Sequence, residues 1–214
     1  MSLIVNEIFY SIQGESTYAG LPCVFVRLTG CNMRCAYCDT AYAYDQGRSM
    51  QISDILGKIE SFHCRMVEVT GGEPLLQAQT PDLIASLLGK QYRVLMETNG
   101  SFDIRMADPR CVRIMDVKCP GSGEHEKCDL RNFRHLGTKD QVKFVIGDRQ
   151  DYNYAKDMLN RIPSRIPAGN LLFSPNRKKL APAELAGWML EDHLQTRLHL
   201  QLHRAIWPEM ERGV

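Results

Sequence analysis

Cys23-Val24-Phe25-Val26-Arg27-Leu28-Thr29-Gly30-Cys31-Asn32-Met33-Arg34-Cys35-Ala36-Tyr37-Cys38 is the stretch on which the reading of this 214-residue chain turns. Its first six residues are apolar apart from Arg27 and short enough for a strand. A loop carrying CxxxCxxC follows at the strand end. Three thiolates on so short a loop converge on one soft centre, and iron–sulfur clusters are held by such groups. A structural zinc site wants a second pair of ligands, usually as CxxC or HxxxH, and the expectation is that the chain offers no such pair. Two plainer readings stand beside the cluster: three unrelated buried cysteines, or a zinc loop completed by a distant His125 or Cys128. Three ligands for a four-iron cube leave one iron open, which suits a centre that binds substrate or cofactor directly.

Outward from this stretch, short β-branched and apolar runs recur at 3–9, 66–69, 93–97, 112–117, 141–146, 171–173 and 198–202. Helix-like segments lie between several of them, at 53–62 with Ser53 as N-cap, 80–88 with Pro81 at the first position, 151–161 and 182–194. Strands alternating with helices imply right-handed crossovers and a mostly parallel sheet covered by helices, open or curled toward a barrel. No repeat or Pro/Gly/Ser linker divides the chain, so residues 1–214 are read as a single domain. The segment 119–139 is long for a connection, and is a mobile functional loop or an irregular elaboration near a site. The tail after Trp207 is polar, and is expected to be flexible unless a ligand or partner pins it.

Lys and Arg number 26 against 25 Asp and Glu, a net charge of +1, with 24% charged and 44% hydrophobic residues. This balance speaks against a nucleic-acid partner. No apolar run approaches the roughly 18 to 20 residues of a membrane span, and Met1 to Tyr10 lacks the basic start and cleavage site of a signal peptide. The expectation is a cytoplasmic protein whose eight cysteines are thiols, ligands or nucleophiles rather than disulfides.

A second signature, Val69-Thr70-Gly71-Gly72-Glu73-Pro74, ends the next strand. Two glycines let the backbone approach a ligand without a Cβ in the way, and Glu73 is expected to accept from an ammonium group. Further strand ends carry Glu97-Thr98-Asn99-Gly100, Asp116-Val117-Lys118 and Phe173-Ser174-Pro175-Asn176, the pattern of a barrel whose C-terminal face holds the site. Each of these alone is equally an ordinary turn.

The CxxxCxxC with Tyr37 before its last cysteine, paired with GGEP, resembles the radical S-adenosylmethionine superfamily. The resemblance implies a 4Fe–4S cluster on Cys31, Cys35 and Cys38 whose open iron chelates S-adenosylmethionine, with one electron breaking the sulfonium to give an adenosyl radical. It also implies contacts to that cofactor from Tyr37, Cys38, Asp39, Gly72, Asp116, Val117, Lys118, Phe173, Ser174, Pro175 and Asn176.

Upstream, Ser11-Ile12-Gln13-Gly14-Glu15-Ser16 offers an amide and a carboxylate to a flat heterocycle, or is a solvated loop. Arg27, inside an apolar strand, needs an anion from the protein or a substrate. His203 is expected at the end of the last strand, pointing to the barrel mouth. With Cys38-Asp39-Thr40, Thr70-Gly71-Gly72-Glu73-Pro74 and Glu97-Thr98-Asn99-Gly100, these segments resemble the 7-carboxy-7-deazaguanine synthase family from residue 3 to about residue 207.

That resemblance implies an α/β fold, an incomplete (βα)6-type partial TIM barrel with an N-terminal strand elaboration, acting as a homodimer. It implies ring contraction of 6-carboxy-5,6,7,8-tetrahydropterin to 7-carboxy-7-deazaguanine with loss of ammonia, in queuosine or 7-deazapurine biosynthesis, fed by an electron donor such as flavodoxin or ferredoxin. Ile12, Gln13, Gly14, Glu15, Arg27, Thr70 and His203 would touch the pterin, and Thr40 would contact Mg²⁺; no protein side chain serves as acid or base. The segment 208–214 extends past the point at which shorter family members end. Cys23, Cys64, Cys111, Cys119 and Cys128 are read as structural. A competing reading, an activase that makes a glycyl radical on a protein partner, shares the CxxxCxxC but has no need of Gln13, Glu15 and Arg27.

Overall fold

The computed structural model describes residues 1–214. Its strands are β1 (Ser2–Ile12), β2 (Pro22–Leu28), β3 (Arg48–Gln51), β4 (Met66–Gly71), β5 (Arg93–Thr98), β6 (Val112–Asp116), β7 (Gln141–Ile146), β8 (Leu171–Pro175) and β9 (Arg197–Leu198). They form one sheet in the order β3-β1-β2-β4-β5-β6-β7-β8-β9. From β2 to β9 every pairing is parallel, while β1 lies antiparallel to both β2 and β3. The first and last strands of that order do not pair, so the barrel is partial, and β1 with β3 is the N-terminal elaboration.

The helices are α1 (Ile52–Glu60), α2 (Thr80–Gly89), α3 (Arg149–Leu159), α4 (Pro182–Glu191) and the short α5 (Leu202–Ile206). Each of the first four turns one apolar face to the sheet: Ile55 and Ile59 on α1, Leu83, Ile84 and Leu87 on α2, Tyr152, Ala155 and Met158 on α3, Leu185 and Met189 on α4. Burying such a Leu or Ile stabilises by about 1.5–3 kcal/mol, so this face rather than intrinsic propensity holds each helix. No α-helix connects β5 to β6 or β6 to β7; those crossovers are 3₁₀ turns at Ile104–Met106, Pro120–Ser122, His125–Lys127 and Leu130–His135. No helix is long and apolar enough to cross a membrane.

Three sequence expectations differ, and one strand, β3, has no counterpart in the sequence reading. The last strand is not 198–202: β9 stops after Leu198, and after the His199 N–H bonds the Phe173 carbonyl the chain turns away and Leu202 N–H bonds the Gly14 carbonyl. His203 therefore sits on α5, where tertiary contact overrides strand propensity. β3 is polar and nearly all exposed, without the alternation that marks a half-buried strand, and forms by pairing with the edge of β1. Ser53 is inside α1, which begins at Ile52 with Gln51 at the N-cap. The tail beyond Trp207 is not loose: Arg204 donates to the Met210 carbonyl, and Arg212 lies over the Tyr42 ring and donates to Gln46.

Candidate active site

Pleating sends alternate side chains of the parallel strands into the barrel. The lower inward layers are apolar, a cluster of Cys23, Phe25, Met66, Leu95, Val112 and Ile114. Above that floor, nearer the C-terminal strand ends, the inward residues become polar: Arg27 on β2, Glu68 and Thr70 on β4, Glu97 on β5, Asp116 on β6 and Lys143 on β7. They line a cavity of about 390 Å³. Charge is not matched residue for residue in it. Lys143 pairs with Glu15 at 2.8 Å, with Glu97, and with Asp116 at 3.5 Å; Lys118 pairs with Asp116 at 2.8 Å.

Burial opposes the charge on Lys143, but the three carboxylates hold its pKa well above the ordinary lysine value. Burial likewise opposes ionisation of Glu15, and Lys143 outweighs it, keeping this carboxyl well below the usual range. Glu68 has no cation of its own, and burial together with Glu97 and Glu15 pushes its carboxyl up to about 8. Burial also lowers the pKa of His203 and His199.

Cys31, Cys35 and Cys38 line the same cavity on the loop after β2. The loop is braced from inside and outside. Met33 is buried, the Arg34 guanidinium donates to the carbonyls of Cys31 and Met33 and lies 4.2 Å over Tyr44, and Asn99 Nδ2 approaches Cys31 Sγ at 3.9 Å. The segment 119–139 is the outer brace: Ala36 N–H donates to the Ser122 carbonyl at 3.0 Å and Arg34 N–H to Glu124 at 2.8 Å. It is thus a structured elaboration beside the site. No three His, Cys, Asp or Glu side chains converge closely enough to hold a single metal ion. Three thiols on one short loop that line the same cavity fit a polynuclear centre, whose soft irons prefer sulfur.

Gly71 and Gly72 serve close packing. A Cβ on Gly71 would stand 2.3 Å from the Leu28 carbonyl oxygen, and one on Gly72 would stand 2.1 Å from that of Gly30 and 2.6 Å from Cys31 Cβ. Glu73, expected to receive an ammonium group, is instead fully buried and accepts from Leu75 N–H, Thr98 Oγ1 and Asn99 N–H, clasping the end of β4 to that of β5.

Most of the expected site residues share the cavity: Gln13, Gly14, Glu15, Arg27, Tyr37, Asp39, Thr40, Thr70, Gly72, Asp116, Lys118, Ser174, Pro175, Asn176 and His203 line it together with the thiols. Three side chains do not. Val117 and Phe173 are sealed in the outer core, Phe173 edge-on to Phe144 and Tyr152, and Ile12 lines a shallower concavity with Tyr10 and Trp207. Within 13–15, Gln13 donates to Glu68 at 2.5 Å and accepts from Glu15 N–H, while Glu15 accepts from Lys143 and Gln201, so both side chains already have protein partners.

Arg27 also has a protein anion. Its Nε donates to Glu7 at 2.8 Å, its cross-strand neighbour, which accepts from Tyr42 as well. The two terminal guanidinium nitrogens make no hydrogen bond to the protein. Gly14 lacks a Cβ where one would fall 2.0 Å from His203 Nδ1, which is how α5 closes on the loop after β1.

Sequence reading misses Glu7, Glu68 and Lys143, which sit inside strands with no motif around them, and Gln201 and Arg204, at the N-cap and within the short α5 on either side of His203; Lys143, a lone cation amid Val142, Phe144 and Val145, carries the same signal as Arg27. It also passes over His199 and the HxxxH spacing that His199 makes with His203. His199 is sealed, with neither ring nitrogen hydrogen-bonded.

The radical SAM superfamily model matches residues 25–113. The chain is 42% identical to the 7-carboxy-7-deazaguanine synthase of Chlorobaculum tepidum over 99% of this chain and 97% of that protein. It is 40% identical to the synthase of the same name from Koribacter versatilis over 98% and 99%. In three dimensions it matches the crystal structure of QueE from Escherichia coli with a TM-score of 0.77 at 21% identity, covering 95% of both chains, a likeness of fold.

Proposed function

The chain belongs to the 7-carboxy-7-deazaguanine synthase family of radical S-adenosylmethionine lyases, and from that premise we propose how its residues divide the work. The activase alternative is set aside by relatives that span the full chain and carry the synthase name.

The substrate is 6-carboxy-5,6,7,8-tetrahydropterin. Cys31, Cys35 and Cys38 hold the cluster, and Tyr37, Asp39, Gly72, Asp116, Lys118, Ser174, Pro175 and Asn176 hold S-adenosylmethionine, with Val117 and Phe173 acting through their backbone and packing. When bound, these groups supply the one-electron radical chemistry. Arg27 receives the substrate carboxylate on its two free terminal nitrogens while Glu7 fixes the guanidinium through Nε. Thr40, whose hydroxyl contacts only Cys38 Sγ at 3.8 Å, offers Mg²⁺ a hard oxygen. Thr70, Gly14 and His203 close around the ring, and Gln13 and Glu15 position that wall. Ile12 supports it from behind.

The observation that carries this reading is the sharing of one cavity by three thiols and an anchored guanidinium with two unused nitrogens. One continuous sheet supports taking residues 1–214 as one radical SAM domain. A flavodoxin or ferredoxin as reductant, a homodimer and a cytoplasmic setting complete the proposal. Anaerobic reconstitution followed by S-adenosylmethionine, reductant and the carboxypterin tests it: 7-carboxy-7-deazaguanine is expected, and cofactor cleavage without any deazapurine overturns the substrate assignment.

A further inference from the structure

Glu68 occupies a place that none of these roles uses. β4 pairs with β2 so that Phe25 lies beside Glu68 and Arg27 beside Thr70, and all four line the cavity. Glu68 is therefore two residues deeper than Arg27, about 6.6 Å at a rise of roughly 3.3 Å per residue. Its Oε2 accepts from Gln13 Nε2, while Oε1 has no protein partner and stays accessible from the cavity. The groups facing it are Gln13 and Glu15 from the loop after β1, the Cys23 thiol from β2, Glu97 from β5 and Lys143 from β7. The ion pairs of Lys143 go to Glu15, Glu97 and Asp116, and Glu68 forms none. Ionised, it would add another anion to a buried site already holding Glu15 and Glu97.

We propose that Glu68 binds the substrate as a neutral carboxyl group, pairing its O–H and C=O with the amide-type edge of an aminopyrimidinone ring whose distal carboxylate is held by Arg27. The proposal rests on the carboxypterin reading above. A protonated carboxyl presents one donor beside one acceptor, and a cyclic amide presents the complement, N–H beside C=O. Oε2, already accepting from Gln13, is the carbonyl oxygen, and the proton resides on Oε1, where the cavity lies. The depth difference between Glu68 and Arg27 suits a bicyclic ring that carries its carboxylate at the far end. Burial and the neighbouring carboxylates keep the group neutral up to about pH 8.

The test is steady-state turnover of carboxypterin by reconstituted enzyme from about pH 6 to about pH 9. Wild-type KM is expected to rise as pH passes about 8, where Glu68 loses its donor. Glu68→Gln keeps one donor and one acceptor, so its KM should stay within about threefold of wild type and lose the alkaline rise. Glu68→Leu should raise KM at least about tenfold, the loss of two hydrogen bonds, with S-adenosylmethionine binding unchanged. Wild-type KM in Glu68→Leu overturns the proposal, as does a Glu68→Gln variant that loses as much as Glu68→Leu. Iron content and S-adenosylmethionine binding report whether Glu68→Leu is folded; if it is not, an alkaline rise that persists in Glu68→Gln is itself sufficient refutation. Wild-type turnover in the same series keeps the two readings apart, since its absence counts against the substrate and not against Glu68.

Discussion

Arg27 shows how one side chain can belong to both the fold and the site. A guanidinium within an apolar strand must have an anion, and Glu7 supplies it through Nε alone. The planar fork leaves two parallel donors, the geometry that matches a carboxylate. Arg27→Lys keeps the charge but has one point to share between Glu7 and the substrate. Its KM for carboxypterin should rise at least about tenfold with cofactor binding unchanged, and equal weakening of both ligands would make Arg27 a structural ion-pair member only. Thr40 poses a similar question. Thr40→Ala should keep iron content and cofactor cleavage while losing most of the Mg²⁺ stimulation of turnover, because cluster iron prefers sulfur and Mg²⁺ prefers oxygen. Parallel Mg²⁺ activation curves for wild type and variant would refute the metal role.

At the scale of elements, the Gly71-Gly72 strand end and the cysteine loop are one packed unit. A methyl group on Gly72 meets backbone, which cannot swing aside as a flexible side chain can. Gly72→Ala should therefore displace the loop and lower iron bound per chain while the far-ultraviolet spectrum stays that of the wild type. Gly57, in the middle of α1 with open space where a Cβ would go, is the contrast: Gly57→Ala should stabilise by about 0.5–1 kcal/mol in denaturant unfolding with activity unchanged.

These glycines also mark what the sequence could say. GGEP alone reads equally as a turn and is legible as a signature because it follows the CxxxCxxC, yet its physical use, letting β4 press on the cysteine loop, depends on two segments some 40 residues apart meeting. The parallel strands are legible for a similar reason: both faces are buried, so each reads as an apolar run. β3 and α5 are not, since a partner edge holds one and the loop after β1 the other. Glu73 and Lys143 were misjudged or missed because a buried charge is defined by its neighbours across the barrel, which spacing along the chain does not reveal.

For the whole molecule, the N-terminal elaboration, the barrel and the C-terminal tail meet at the cavity mouth. Gln201 donates to Glu15 at 2.8 Å, Arg204 Nη2 lies 3.7 Å from Asp39, and Leu202 N–H bonds Gly14, so the residues after β9 tie the loop after β1 to the cysteine loop. Beyond them the tail is mostly exposed, and its polar contacts, Arg212 to Gln46 and Arg204 to Met210, are at the surface, where such interactions contribute little to stability. Its position is another matter, for Glu211 and Val214 line the cavity although the nearest strand ended before residue 200. A segment that costs little to remove but walls the proposed substrate cavity separates folding from binding. Ending the chain after Trp207 should leave the thermal midpoint within a few degrees of wild type, since no buried apolar side chain is lost, and leave iron content unchanged because the cysteine loop is braced by residues 122–124 instead. The KM for carboxypterin should rise several-fold, and uncoupled S-adenosylmethionine cleavage should increase as water reaches the open mouth. A truncated chain with wild-type KM and coupling would reduce the tail to a surface strap, whereas a collapse in thermal stability would mean that Trp207 and α5 need residues 208–214 to stay docked.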